Sequence, residues 1–303
     1  MPGRTAYARL PAVVASKDGS ESIGFRSREK FLVRAVRQEG AGWRPTPGGR
    51  LGRPWGGQVT KWDSRMASLL IERHDALLDI TLNDPESGNL ITADAGDEII
   101  AALSAVSTET KLIRLRGNGP DFCRGRKSPP LDRKTATALE YRSAIAEGPL
   151  ALYDAFKAAK APIMGIVQGK AFGVGFALAA LCDITLAVDS ATFCIPELDH
   201  GIVPTLVMSA LIGKLSPKAI AGLVLMRKPI DAEAAAALGV VTSVHSADTL
   251  EAEVDAVTGA VLKAPADALH AIRDYLRVAP SMDPAGARAF AANLIATVLS
   301  SRK

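Results

Sequence analysis

Residues 161–204 read "APIMGIVQGKAFGVGFALAALCDITLAVDSATFCIPELDHGIVP", and their order decides the fold. "PIMGIVQG" (162–169) is a short apolar run bounded by Pro162 and Gly169, the pattern of a buried strand. Gly173-Val174-Gly175 turns the chain into an apolar helix over 173–182. "DITLAVD" (183–189) reads as the next strand and "TFCIPE" (192–197) as a short one after it. Strand, glycine turn, helix and strand in succession predict an α/β core.

The same rhythm extends upstream. "SLLIERH" and "ALLDITL" are strand-like around a tight turn at Asp75, and "NDPESGN" (83–89) is a loop broken by Pro85 and Gly88. Thr92 is placed to cap a helix through "ADAGDEIIAALSAV". "KLIRLRG" (111–117) is a strand, "NGPDFCRGRKSPP" (118–130) a long loop, and helical segments follow around 135–147 and 149–160. After Pro204 the pattern is mostly helical to the end.

Composition narrows the classes. An apolar content of 48% in 303 residues suffices for a sizeable core. No apolar run reaches the roughly 18 residues of a membrane span. Cys123, Cys182 and Cys194 show no metal or disulfide spacing, and His74, His245 and His270 are scattered, so no metal is expected. A reducing, cytoplasmic setting fits the cysteines. Residues 1–65 hold 13 basic and 5 acidic residues, whereas the remainder holds 23 and 27. A basic, Pro/Gly/Arg-rich extension therefore precedes a mildly acidic body. The extension reads as disordered, with Met66 as an internal start, or else as a transit segment to an organellar matrix. The acidic body argues against nucleic-acid binding.

Chemistry has three places to sit: the loop "FCRGRK" (122–127), the Gly-Val-Gly turn, and "FCIPELDHGIVP" (193–204). A helix N-terminus offers unpaired N–H groups, and glycines admit close approach to the backbone. A second free N–H from "FCRGRK" would complete an oxyanion hole. "GVGFAL" lacks the third glycine of a dinucleotide fingerprint.

The 161–204 run, "GNGPDFCRGRK" and "NDPESGNLIT" together resemble the enoyl-CoA hydratase/isomerase (crotonase) family in order and spacing. The resemblance implies a ββα spiral core over 66–260 and a helical, trimerising C-terminal region over 261–303, assembled as a homotrimer or hexamer. It implies an acyl-CoA thioester substrate, with coenzyme A part of that substrate and no separate cofactor. By motif position the oxyanion N–H groups belong to Arg126, which follows Gly125, and to Val174, which follows Gly173. In a loop beside a coenzyme A site, Arg124, Arg126 and Lys127 could pair with its phosphates; a solvated basic loop is the alternative.

The family carries glutamates at two positions. One is Ala177 here and the other is Glu197. A lone glutamate suits double-bond isomerisation, in which one base takes a proton from C2 and returns it at C4, whereas well-studied hydratases hold water between two carboxylates. The expected reaction is thus enoyl-CoA isomerisation or hydration with Glu197 as acid–base group. Thioester hydrolysis, decarboxylation or a catalytically weak scaffold or RNA-binding role are the alternatives. Thr205 stands where dienoyl-CoA isomerases of the family carry an aspartate, which argues against that activity. An extended Glu197–Asp199 segment would put both side chains on one face and let Asp199 replace the missing carboxylate, though a solvated or capping Asp199 is the reading preferred here. "PTLVMS" (204–209) replaces a glycine-rich stretch and makes the pocket wall bulkier.

Overall fold

The computed structural model describes residues 68–132 and 134–302. The readings made for residues 1–65 and for Met66 fall outside the described residues.

Two strands open the fold: β1 (Leu69–His74) and β2 (Leu77–Leu82) pair antiparallel through the turn at Asp75, whose φ is 45°. Thr92 caps α1 (Ala93–Ser104), its side chain accepting from the Ala95 N–H at 3.1 Å. β3 (Leu112–Gly117) then lies parallel to β2. The long loop leads to α2 (Ala138–Tyr141), a π-helical segment Arg142–Glu147, and α3 (Gly148–Ala158). This crossover returns the chain to β4 (Ile163–Val167), parallel to β3. All five residues of β4 are buried, because helices and sheet cover both its faces.

From β4 the chain makes β5 (Lys170–Phe172), α4 (Val174–Leu181), β6 (Ile184–Val188) and β7 (Thr192–Cys194). A 3-10 turn, Glu197–His200, leads to α5 (Thr205–Leu211) and α6 (Pro217–Met226). β8 (Ile230–Asp231), α7 (Ala232–Ala237) and β9 (Ser243–His245) close the sheets. The larger sheet runs β1-β2-β3-β4-β6-β9, the smaller one β5-β7-β8. Every residue of α4 is buried, and Phe176 meets Phe193 of β7 edge to face at 5.9 Å. The architecture is the expected α/β core with a helical C-terminal region. Those helices are α8 (Leu250–Lys263), α9 (Ala266–Val278) and α10 (Pro284–Ser300). α8 spans residue 260, the boundary expected from the sequence between core and C-terminal region. No described helix is long and apolar enough to cross a membrane.

Arg273 ties α9 to the core. Its Nε donates to Asp183 Oδ2 at 2.8 Å, Nη2 to Phe156 O at 2.7 Å, and Nη1 to Ala159 O. Asp183 Oδ2, in the connection from α4 to β6, also accepts the Ile163 N–H, so one network joins α3, β4, this connection and α9. Removing the buried guanidinium leaves the carbonyls of Phe156 and Ala159 without their donor. Arg273→Ala is expected to lower the unfolding free energy by about 1–3 kcal/mol or more in a denaturant titration. A loss below about 1 kcal/mol would show that α9 docks without this network.

Candidate active site

The site lies where β3 and β4 end, the carboxyl side on which open α/β sheets bind ligands. After β3 the chain runs through 122–127 as an extra, irregular strand. On one side Cys123 N–H donates to Lys170 O at 3.0 Å, and Phe172 N–H to Cys123 O at 2.9 Å. On the other, Arg124 N–H donates to Gly88 O, Ile91 N–H to Gly125 O, and Lys127 N–H to Ile91 O, at 2.9–3.0 Å. Ile91 and Arg126 thereby form a parallel bridge. In such a bridge the flanking peptides make the bonds, so the N–H of Arg126 points away from Ile91. That N–H meets no acceptor among the described residues.

Val174 opens α4, and the first intrahelical bond there runs from Ala177 N–H to Gly173 O. The Val174 N–H is therefore one of the orphan donors of a helix start. The positive φ, 53°, falls on Gly173, which leaves Val174 in ordinary helical geometry. Helix and loop touch closely. A Cβ on Gly175 would lie 2.1 Å from Cys123 O, and one on Gly173 would lie 4.0 Å from the Gly125 Cα.

A cavity of about 230 Å³ joins these groups. Arg124, Gly125, Arg126, Gly173, Val174 and Glu197 all line it. Lys127 instead lines a neighbouring cavity of about 620 Å³ that shares Arg126 and Val174. Of the seven residues singled out from the sequence, six meet at one cavity and the seventh at its neighbour. Arg124 is half exposed, and Lys127 is exposed.

Glu197 sits at the start of the 3-10 turn, with Oε1 against Gly173: a Cβ there would lie 2.8 Å from it. Burial raises its carboxyl above the usual range, while its own backbone N–H and His200 pull the other way. It is the one carboxylate lining the cavity among the described residues. The segment Glu197–Asp199 is helical rather than extended, because Gly201 in left-handed geometry closes the turn onto Glu197 and Leu198. Asp199 consequently points elsewhere and pairs with Arg227 at 3.2 Å. Ala177 is fully buried in α4.

Some contributors gave no signal in the sequence. Asn89 is buried and donates to Asn118 O at 2.9 Å and Asp121 O at 2.7 Å, while its Oδ1 accepts the Asp84 N–H. The Arg126 guanidinium donates to Ala144 O and Ile145 O at 2.7 and 2.5 Å, anchoring the π-helical segment beside the site. Tyr153 of α3 also lines the cavity. Burial raises the Cys123 thiol to about 12, and its Sγ donates to Gly125 O, so it is a packing group rather than a nucleophile.

Two free N–H groups and a buried carboxylate around one apolar-walled cavity can stabilise a negative oxygen and move a proton beside it. The chain matches the enoyl-CoA hydratase/isomerase family over residues 72–303. It is 28% identical to a probable enoyl-CoA hydratase of Mycobacterium bovis, over 66% of this chain and 77% of that one. It is 31% identical to carnitinyl-CoA dehydratase of Citrobacter koseri, over 71% and 82%. Its structure resembles that of a Thermobifida fusca YX protein solved in complex with CoA. There the TM-score is 0.70 and the identity 25%, covering 78% of this chain and 94% of that one.

Asn89→Ala strips two carbonyls and one N–H of their partners. It is expected to cost about 1–3 kcal/mol or more and to raise amide hydrogen exchange across 118–127. Unchanged exchange there would mean that the loop holds its path without Asn89.

Proposed function

This chain belongs to the enoyl-CoA hydratase/isomerase family and is an enzyme, and we propose that it shifts the double bond of an enoyl-CoA thioester with Glu197 as its single acid–base group. The observation that carries this reading is the solitary, partly buried carboxylate beside two unpaired backbone N–H groups.

The thioester oxygen accepts hydrogen bonds from the N–H groups of Arg126 and Val174, and this polarisation acidifies C2. The Glu197 carboxylate removes a C2 proton from a 3-enoyl-CoA. The electrons run to the thioester oxygen as a dienolate, and the Glu197 carboxylic acid returns the proton at C4. The product is the 2-enoyl-CoA, with no atom gained or lost and no cofactor needed. Ile202, Val203, Leu206 and Val207 wall the cavity and keep the carboxyl's pKa raised toward the working range. Arg124 and Lys127, whose ends reach solvent, are assigned to the coenzyme A phosphates.

Hydration of a 2-enoyl-CoA is the second reading, favoured by the hydratase and dehydratase names of the relatives. The isomerase reading is preferred because no second carboxylate lines the cavity among the described residues: Ala177 is buried and Asp199 is held by Arg227. The apolar face of α9 and α10, with Ile272, Leu276, Ile295 and Leu299 each more than half exposed, supports assembly as a homotrimer or hexamer.

Glu197→Gln is expected to cut kcat on a 3-enoyl-CoA by about 10²–10⁴-fold with KM little changed. The wild-type rate should fall on acidification through a pKa above the ordinary 4.5, since the base must be ionised. Wild-type levels of isomerisation in the variant would overturn the reading. Light scattering should give three or six times the chain mass, and a monomer would refute the assembly.

A further inference from the structure

Two polar side-chain atoms of this cavity are buried without a hydrogen-bond partner among the described residues: the Tyr153 hydroxyl and Glu197 Oε2. Tyr153 is fully buried on α3, on a helix face otherwise apolar with Pro149, Leu152 and Phe156. A phenylalanine would fill that core, whereas a buried tyrosine ordinarily finds a partner for its O–H. Tyr153 and Glu197 both line that cavity, one from α3 and the other from the 3-10 turn after β7.

The other groups around the carboxylate are accounted for. The Arg126 guanidinium is taken by Ala144 O and Ile145 O, and Arg124 lies half exposed near Asp121. Cys123 donates to Gly125 O and Cys194 to Arg227 O. Asp199 is paired with Arg227, and His200 approaches Glu197 from the exposed end of the turn. Burial foremost, then the charge of Glu197, keep the Tyr153 hydroxyl protonated against the opposing pull of Arg126, so it remains a donor.

We propose that Tyr153 is a positioning residue for Glu197. A side-chain rotation lets its hydroxyl donate to Oε2 of the ionised carboxylate, which leaves Oε1, beside Gly173, to face the substrate. One oxygen is thus fixed, and proton uptake is confined to the other. This inference rests on the reading of Glu197 as the base.

Tyr153→Phe removes the donor and keeps the shape. Loss of a hydrogen bond to the charged form raises the carboxyl's pKa further. The acid limb of the kcat/KM–pH profile is expected to move up by about one pH unit. At the plateau, kcat should fall by about tenfold with KM little changed. A variant whose acid limb stays in place, whatever its rate, overturns the proposal, because a packing role alone would not move the limb. Should the wild type fail to turn over enoyl-CoA, the reaction reading falls. The pairing is then decided by a carbon-13 carboxyl NMR titration of the full chain, with Glu197→Gln assigning the resonance. An upward shift in Tyr153→Phe supports the pairing, and no shift overturns it.

Discussion

The site depends on one backbone arrangement, the threading of residues 122–127 between 88–91 and 170–172. The bonds to Gly88, Ile91 and Lys170 fix that segment on both edges and leave the Arg126 N–H without an acceptor among the described residues, on a residue that lines the cavity. The contact is too close for side chains, so Gly175 meets Cys123 O directly. The same proximity brings the start of α4, and with it the Val174 N–H, beside Arg126. With backbone atoms as the proposed donors, the side chains at 126 and 174 are free for other work. Val174 packs, and Arg126 holds the π-helical segment.

The second constraint is the burial of α4. A helix enclosed by α3, α5 and β5 has small apolar residues where it meets them, and Ala177 is one of these. An unpaired carboxylate there would be costly to ionise. The carboxylate at the cavity comes instead from the turn after β7, where one edge is open and its own backbone N–H and His200 oppose the effect of burial. Glu197 is therefore partly desolvated, as the proposed acid–base role requires, without being sealed into the core.

Much of this was legible in the sequence, for identifiable reasons. Strands and helices of the core were visible because their burial imposes period and length, and the glycine turns mark where backbones meet. The placement of Glu197, Gly125 and Gly173 at one cavity could be anticipated because the motifs follow successive strands. Other features were not legible. Glu197–Asp199 reads as extended, yet Gly201 in left-handed geometry winds it into a 3-10 turn and sends Asp199 to Arg227. Helix periodicity continues through 142–147, so the π-helical register there has no local signature. Tyr153 looks like any core aromatic on an amphipathic helix. Only the absence of a partner for its hydroxyl among the described residues, a property of the packed structure, distinguishes it. Asn89 likewise appears as a loop residue until its bonds to Asn118 and Asp121 are seen.

The central claim is that Glu197 exchanges protons with C2 of an acyl-CoA thioester held by the Arg126 and Val174 N–H groups. The most direct measurement follows the C2 hydrogens themselves: a 3-enoyl-CoA carrying deuterium at C2 is incubated with wild type and with Glu197→Gln, and the label at C2 is read by mass spectrometry and NMR. The account predicts that the wild type removes one C2 deuterium, passing it to C4 or exchanging it with solvent, and that Glu197→Gln does not. Loss of the C2 label that persists in the variant, or none with the wild type, would contradict it.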